Sequence, residues 1–126
     1  MTLELALYIG LLLHFVGDYL LQNDFMAREK TRSLLVAALH ATIYALPFLL
    51  VCWSGWWLIV WGSHVLIDRY RLAVYWIKLV NWNWSSTNMG YDADKPVWMS
   101  VWLMIIIDNA FHVLINSLCI YLAFRP

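Results

Sequence analysis

Every histidine of this chain lies in an apolar stretch: His14, His40, His64 and His112. Three aspartates accompany them at a repeated spacing. His14 and Asp18, His64 and Asp68, and, in reversed order, Asp108 and His112 are each four residues apart. Residues at i and i+4 share a helix face, so each pair offers an imidazole and a carboxylate to one point in space. A carboxylate among apolar side chains is costly unless it is paired or coordinated. Neutral imidazoles with carboxylates suit zinc, and also manganese or iron. Seven donors exceed the four that one closed structural zinc takes, and match two ions sharing a bridging carboxylate or water. Two metals about 3.5 to 4 Å apart are a common device for cleaving phosphate esters. Some of the aspartates can instead orient a ligand histidine from behind.

The elements that must position these residues follow from composition. Of 126 residues 63% are hydrophobic, 17% aromatic and 13% charged, with a mean hydropathy of +0.68. An ordinary soluble domain carries about 25% charged residues, and a disordered chain is far less apolar. Eight Lys/Arg cancel eight Asp/Glu, so no basic surplus points to nucleic acid. The length fits one domain over residues 1–126. Four apolar stretches run Leu3 to Leu21, Ser33 to Trp53, Trp56 to Ile67 and Val97 to Phe124, each holding one histidine. About 20 apolar residues cross a bilayer as a helix. The first, second and fourth stretches reach that length, and the third does so by extending through Asp68, Arg69 and Arg71 toward Val80 or by starting at the Trp53-Ser54-Gly55-Trp56 turn. The expected fold is an all-α, integral membrane four-helix bundle. The first stretch lacks a basic leader and is followed by Gln22-Asn23-Asp24, not a small-residue cleavage site, so it reads as a retained helix.

With alternating helices, Arg28, Lys30 and Arg32 fall in the first connection and Arg69, Arg71, Lys78 and Lys95 in the third. Basic residues collect on the cytoplasmic side, which places both termini on the non-cytoplasmic side. The first and third helices then descend toward the cytoplasm and the fourth ascends, so the reversed Asp108-His112 order gives all three pairs the same vertical sense. All seven residues come to lie about 10 to 18 Å below the cytoplasmic boundary, close enough in depth for one cluster. Residues 81 to 95, with Trp82, Trp84 and Tyr91, read as an interfacial loop.

Gln22, one more i+4 step beyond Asp18, reads as a hydrogen-bond partner for a ligand or metal-bound water, or as an ordinary helix-end amide. Lys30, Arg69 and Arg71 sit where a lipid phosphate or a phosphorylated substrate would arrive, a position that topology anchors also occupy. Asn109 and Asn116 are expected to bond between helices. Cys52 and Cys119 fall near the external ends of helices two and four and read as unpaired apolar filler ahead of a disulfide. Pro47 is expected to bend helix two just past His40. With five scattered glycines no phosphate loop can be built.

The run His14-Phe15-Val16-Gly17-Asp18-Tyr19-Leu20-Leu21-Gln22, followed by Lys30, resembles the opening motif of the domain of unknown function 3307 family of small bacterial and phage membrane proteins. His40, the His64-Val65-Leu66-Ile67-Asp68 segment and Asp108-Asn109-Ala110-Phe111-His112 are similar to the rest of that family's pattern, with Asn109 where the family usually has Gln. The resemblance covers nearly the whole chain. It implies an integral membrane protein and supplies no established reaction; with four apolar stretches, the expected location is the bacterial inner membrane, as a multi-pass protein. The His/Asp pattern is more distantly similar to membrane-bound metal-dependent hydrolases and to zinc-dependent phospholipase C and nuclease folds.

The expected function is a membrane-embedded, dinuclear metal-dependent hydrolase that attacks a phosphoester, such as a lipid, from the cytoplasmic leaflet. His14, His40, His64 and His112 would be ligands, and Asp18, Asp68 and Asp108 ligands or bridges. Two alternatives use the same cluster. One is a divalent-metal or proton transporter, which needs a second opening through outer helix halves that are rich in Leu, Ile, Val and Trp. The other is a structural metal in a membrane interaction protein. A unit this small can form a homo-oligomer, although no GxxxG pair marks an interface.

Overall fold

The computed structural model describes residues 1–125, which hold six α-helices and no strand. Helix α1 spans Leu3–Phe15, and the Thr2 hydroxyl starts it by accepting from the Leu5 N–H at 3.3 Å. The helix continues unbroken into a wider π-wound segment, Val16–Leu20, closed by a bond of 2.9 Å from the Leu21 N–H to the Val16 carbonyl. A short helix α2, Asp24–Glu29, follows, with Asn23 capping the Met26 N–H at 2.9 Å. Ser33 caps α3, Leu34–Ala45. At Pro47 the chain tightens into a 3-10 segment, Leu46–Leu50, because proline has no N–H and its ring crowds the carbonyl four residues back. Helix α4 covers Gly55–Tyr70, α5 Leu72–Val80 and α6 Val97–Ala123.

The four longer helices surround one interior. Helix α3 packs on α4, α4 on α6 and α6 on α1, and the π segment closes the ring on α3. The neighbours run antiparallel. Trp61 donates to the Thr42 hydroxyl at 3.0 Å while Trp57 donates to the Ala45 carbonyl at 2.6 Å. Likewise Gly10 of α1 faces Ile120 of α6, and His14 faces Asn109. The sequence reading expects four helices, and α2 and α5 are additional. The extension of the third stretch toward Val80 breaks at Arg71, which takes the left-handed conformation (φ 49°, ψ 52°) and turns the chain from α4 into α5.

The interior is divided along its length. At the end holding the Trp53–Phe124 and Gly10–Ile120 contacts, the core is apolar, built from Phe48, Val51, Cys52, Val60, Cys119 and Ile120. Cys52 and Cys119 are both buried there and unbridged, in line with their reading as filler. The other end is polar, with His14, Asp18, His40, His64, Asp68 and His112 all buried. The outside is apolar: Leu20 is 76% exposed and Leu35 80%, whereas His14 is 0% exposed. In the polar half, that inverts the soluble pattern of apolar core and polar surface. Two helices, Leu3–Leu20 and Val97–Ala123, are long and apolar enough to cross a membrane. The apolar Leu34–Leu50 is shorter, and α4 has 16 residues.

Glycine decides the contact of the π turn with α3. A Cβ at Gly17 would run into the Tyr44 ring, so the π segment can lie against α3 only without a side chain there. Gly62, in mid-helix, has open space around its Cβ direction. Gly17→Ala is therefore expected to destabilise by about 1–3 kcal/mol through overpacking. Gly62→Ala should stabilise by up to about 1 kcal/mol through helix propensity. Thermal unfolding followed by circular dichroism distinguishes the two.

Candidate metal centre

The π-wound turn is what brings Asp18 to the centre of the polar half. In a regular helix Asp18 would stack above His14, whereas the extra residue in the turn carries its carboxylate toward α3 and α4. Asp18 Oδ1 lies 3.1 Å from His40 Nε2 and 3.3 Å from His64 Nε2. Those two nitrogens are 3.1 Å apart. From α4, Asp68 Oδ2 approaches His64 Nε2 at 3.2 Å and His40 Nε2 at 3.4 Å. A regular tetrahedron with edges of about 3.2 Å has its corners about 2.0 Å from its centre, the length of a zinc bond to nitrogen or oxygen. These five separations thus have the size that four ligands around one small ion would show. Among the described residues, Nδ1 of His40 and of His64 has no hydrogen-bond partner, so both rings direct their polar contacts inward through Nε2.

Asp68 also reaches a second group. Its other oxygen, Oδ1, is 3.3 Å from His112 Nε2, which lies 3.4 Å from Asp108 Oδ2. Asp18, His40, His64 and Asp68 form one set of donors, and Asp68, Asp108 and His112 another. Each can hold a metal ion, and Asp68 belongs to both. Lys30 Nζ stands 2.8 Å from Asp68 Oδ2. One ammonium against three carboxylates leaves a negative surplus inside the bundle, which neutral imidazoles do not balance.

His14 belongs to neither set. The Asn109 Oδ1, an acceptor only, takes the proton of His14 Nε2 at 2.6 Å, so Nδ1 accepts from the Tyr44 hydroxyl at 2.9 Å. Asn116 Nδ2 donates in turn to the Tyr44 oxygen at 2.6 Å, and Asn109 Nδ2 to the Tyr19 hydroxyl at 2.6 Å. Asn109 and Asn116 thus bond between helices as expected. Both nitrogens of His14 are occupied, and its place is behind Asp18, 3.5 Å from Oδ2. Asp18 thus keeps the i+4 contact with His14 through one oxygen while the other turns to His40 and His64.

A cavity of about 280 Å³ opens onto the cluster, with Asp18, Asp68, Asp108, Gln22, Lys30 and Arg71 in its walls. Gln22 lines it where the sequence places it, and its Nε2 donates to the Asp18 carbonyl at 3.2 Å. Arg69 points elsewhere and donates to the Thr31 carbonyl at 2.8 Å. Two features escape the sequence reading. Lys30 is an ion-pair partner of Asp68 from another element. Tyr44, fully buried, stacks on the His64 ring at 3.8 Å between centroids besides holding His14. Tyr44 stands four residues after His40, the same spacing as the other pairs, and that signal was available.

A family model matches residues 6–124, nearly the whole chain. The chain belongs to the DUF3307 family. The description of DUF3307 is a protein of unknown function. No curated protein and no solved structure matches this DUF3307 chain.

Replacing Tyr44 with Phe keeps the ring on His64 and removes the hydroxyl that His14 and Asn116 use. Two buried polar groups are then left unpaired, at a cost of about 1–3 kcal/mol each. A fall in the thermal unfolding midpoint larger than that of a Tyr19→Phe control is expected.

Proposed function

We propose that this chain is a membrane-embedded hydrolase that uses two metal ions to cleave a phosphoester, such as that of a lipid. The observation that carries the reading is Asp68, whose two oxygens each face a separate set of donors. A carboxylate so placed is the usual bridge in two-metal sites. Asp18, His40 and His64 complete one set, and Asp108 and His112 the other. Zinc is the ion proposed first, with manganese or iron as alternatives. Bound there, the ions would supply Lewis acidity and an activated water.

The chain's own residues do the rest. The His14, Tyr44 and Asn109 bonds hold the wall behind Asp18 rigid. Asp108 is the least buried of the three aspartates and lines the cavity, so the second set is the one a substrate meets. Lys30, Gln22 and Arg71 surround that approach, two of them cations suited to a phosphate. Hydrolysis adds the oxygen of water to phosphorus and releases the alcohol with a proton.

The membrane setting is supported by the apolar exterior, the two long apolar helices and the polar interior. We propose a multi-pass arrangement in the bacterial inner membrane. The third connection and α2 then lie on the cytoplasmic side, following the basic residues. The site faces the cytoplasmic leaflet, and both termini lie outside. Transport with the same residues would need a path through the opposite end, where Phe48, Val51, Val60 and Ile120 are packed and buried.

Elemental analysis of purified protein is expected to give about two ions per chain, as in other two-metal sites. His40→Ala and Asp108→Asn should each retain about one, and Asp68→Asn close to none. Protein purified without chelator that holds no metal would overturn the hydrolase reading in favour of proton or ion passage. Turnover of a phosphodiester such as bis(4-nitrophenyl) phosphate should fall at least about 100-fold in Asp68→Asn, beyond what loss of a mere orienting residue costs. Full activity in Asp68→Asn with a normal unfolding midpoint would exclude Asp68 from the reaction.

A further inference from the structure

Beside the metal cavity lies a second groove, of about 400 Å³, walled by Arg69, Arg71, Lys78, Thr31, Thr87 and Tyr75. Its charge has one sign. Three other cations of this face have carboxylate partners: Arg28 with Asp24 at 3.5 Å, Lys30 with Asp68 at 2.8 Å and Arg32 with Glu29 at 3.9 Å. Among the described residues, no carboxylate pairs with Arg69, Arg71 or Lys78. Backbone carbonyls hold two of them instead, Thr31 receiving Arg69 at 2.8 Å and Trp84 receiving Lys78 at 3.3 Å. A carbonyl orients a cation without cancelling its charge, and Arg69 Nε is buried with no partner at all. Holding like charges together around an empty space is unfavourable unless an anion joins them.

Arg71 adds a second observation. Its left-handed backbone is costly for a residue with a Cβ, a strain that is retained at functional positions. Glycine would adopt it freely. The arginine at this turn lines both the groove and the metal cavity, as does Thr31. Three cations converging from two helices and their junction suit a doubly charged oxyanion, which arginine meets with paired N–H donors. The rim carries the exposed rings of Tyr70 and Tyr75, a side-chain type that settles at headgroup depth.

We propose that this groove is a binding site for a phosphate monoester group, separate from the metal cluster and independent of any metal. The phosphate can come from the headgroup of an acidic phospholipid or from free phosphate.

The test uses full-length protein in a non-ionic detergent, washed with chelator, and native mass spectrometry with dioctanoyl phosphatidic acid and dioctanoyl phosphatidylcholine. Wild type should retain phosphatidic acid about tenfold over phosphatidylcholine, as expected for added charge-assisted bonds. Arg69→Gln combined with Lys78→Gln should bring the ratio to about one. Arg71→Gly, which relieves the left-handed turn and so keeps the fold, should also lower it. His64→Ala should leave it unchanged, because that ring belongs to the metal cluster. Displacement of phosphatidic acid by millimolar inorganic phosphate would assign the site to the phosphate group alone, and resistance to it would assign the site to the lipid. Equal retention of the two lipids by wild type overturns the proposal. So does a preference that survives in both groove variants, or one lost in His64→Ala. Because no metal is present, failure of the hydrolase reading leaves this result unaffected.

Discussion

Three carboxylates sit inside a bundle whose outer surface is leucine, tryptophan and phenylalanine, and the structure is organised around neutralising them. Charge in such surroundings is tolerated only when paired, hydrogen-bonded or coordinated. Each of the four longer helices therefore delivers a polar group to the same level: Asp18, His40, His64 with Asp68, and Asp108 with His112. Lys30 comes from the segment after α2 to meet Asp68. The ammonium offsets one charge, and cations or protons must account for the others. That requirement links the packing of the bundle to its proposed chemistry.

The delivery depends on departures from regular helix. The π-wound Val16–Leu20 segment swings Asp18 inward, and Gly17 allows it to rest against Tyr44. Such local widening is common at functional sites because it re-aims one side chain without ending the helix. Arg71, in the left-handed region, turns α4 into α5 and places a guanidinium between two cavities. The 3-10 segment at Pro47, by contrast, lies in the apolar half, where Phe48 packs beside Tyr44 and closes the far end. One end of the bundle is thereby sealed and the other is open.

Behind the donors runs a directed chain of hydrogen bonds from Asn116 through Tyr44 and His14 to Asn109 and Tyr19. Every buried polar atom of that chain is used. This explains how a histidine in an apolar helix can be satisfied without being a ligand, and why His14 and Asp18 have different tasks despite their spacing. It also ties α1, α3 and α6 together at the depth of the cluster, so that loss of one hydroxyl is felt on three helices.

The amino-acid sequence by itself determined the all-α class, the apolar stretches and, among the buried polar residues, the four histidines with Asp18 and Asp68. Those properties depend on side-chain type and on i, i+4 periodicity, which are local. Gln22 beside the open end and the interhelical Asn109 and Asn116 were legible for the same reason. Tyr44 was missed: its spacing of four residues from His40 was there to see, but one tyrosine among many aromatic residues does not stand out. Which atoms converge was decided only by tertiary structure. The π turn that aims Asp18 at His40 and His64, the reach of Lys30 to Asp68, the turning away of Arg69 and the sharing of Asp68 between two donor sets all depend on how helices distant in sequence are rotated about their axes. Helix rotation is set by packing at many contacts at once, such as Gly17 against Tyr44 and Trp61 against Thr42, and no single stretch of the chain encodes it.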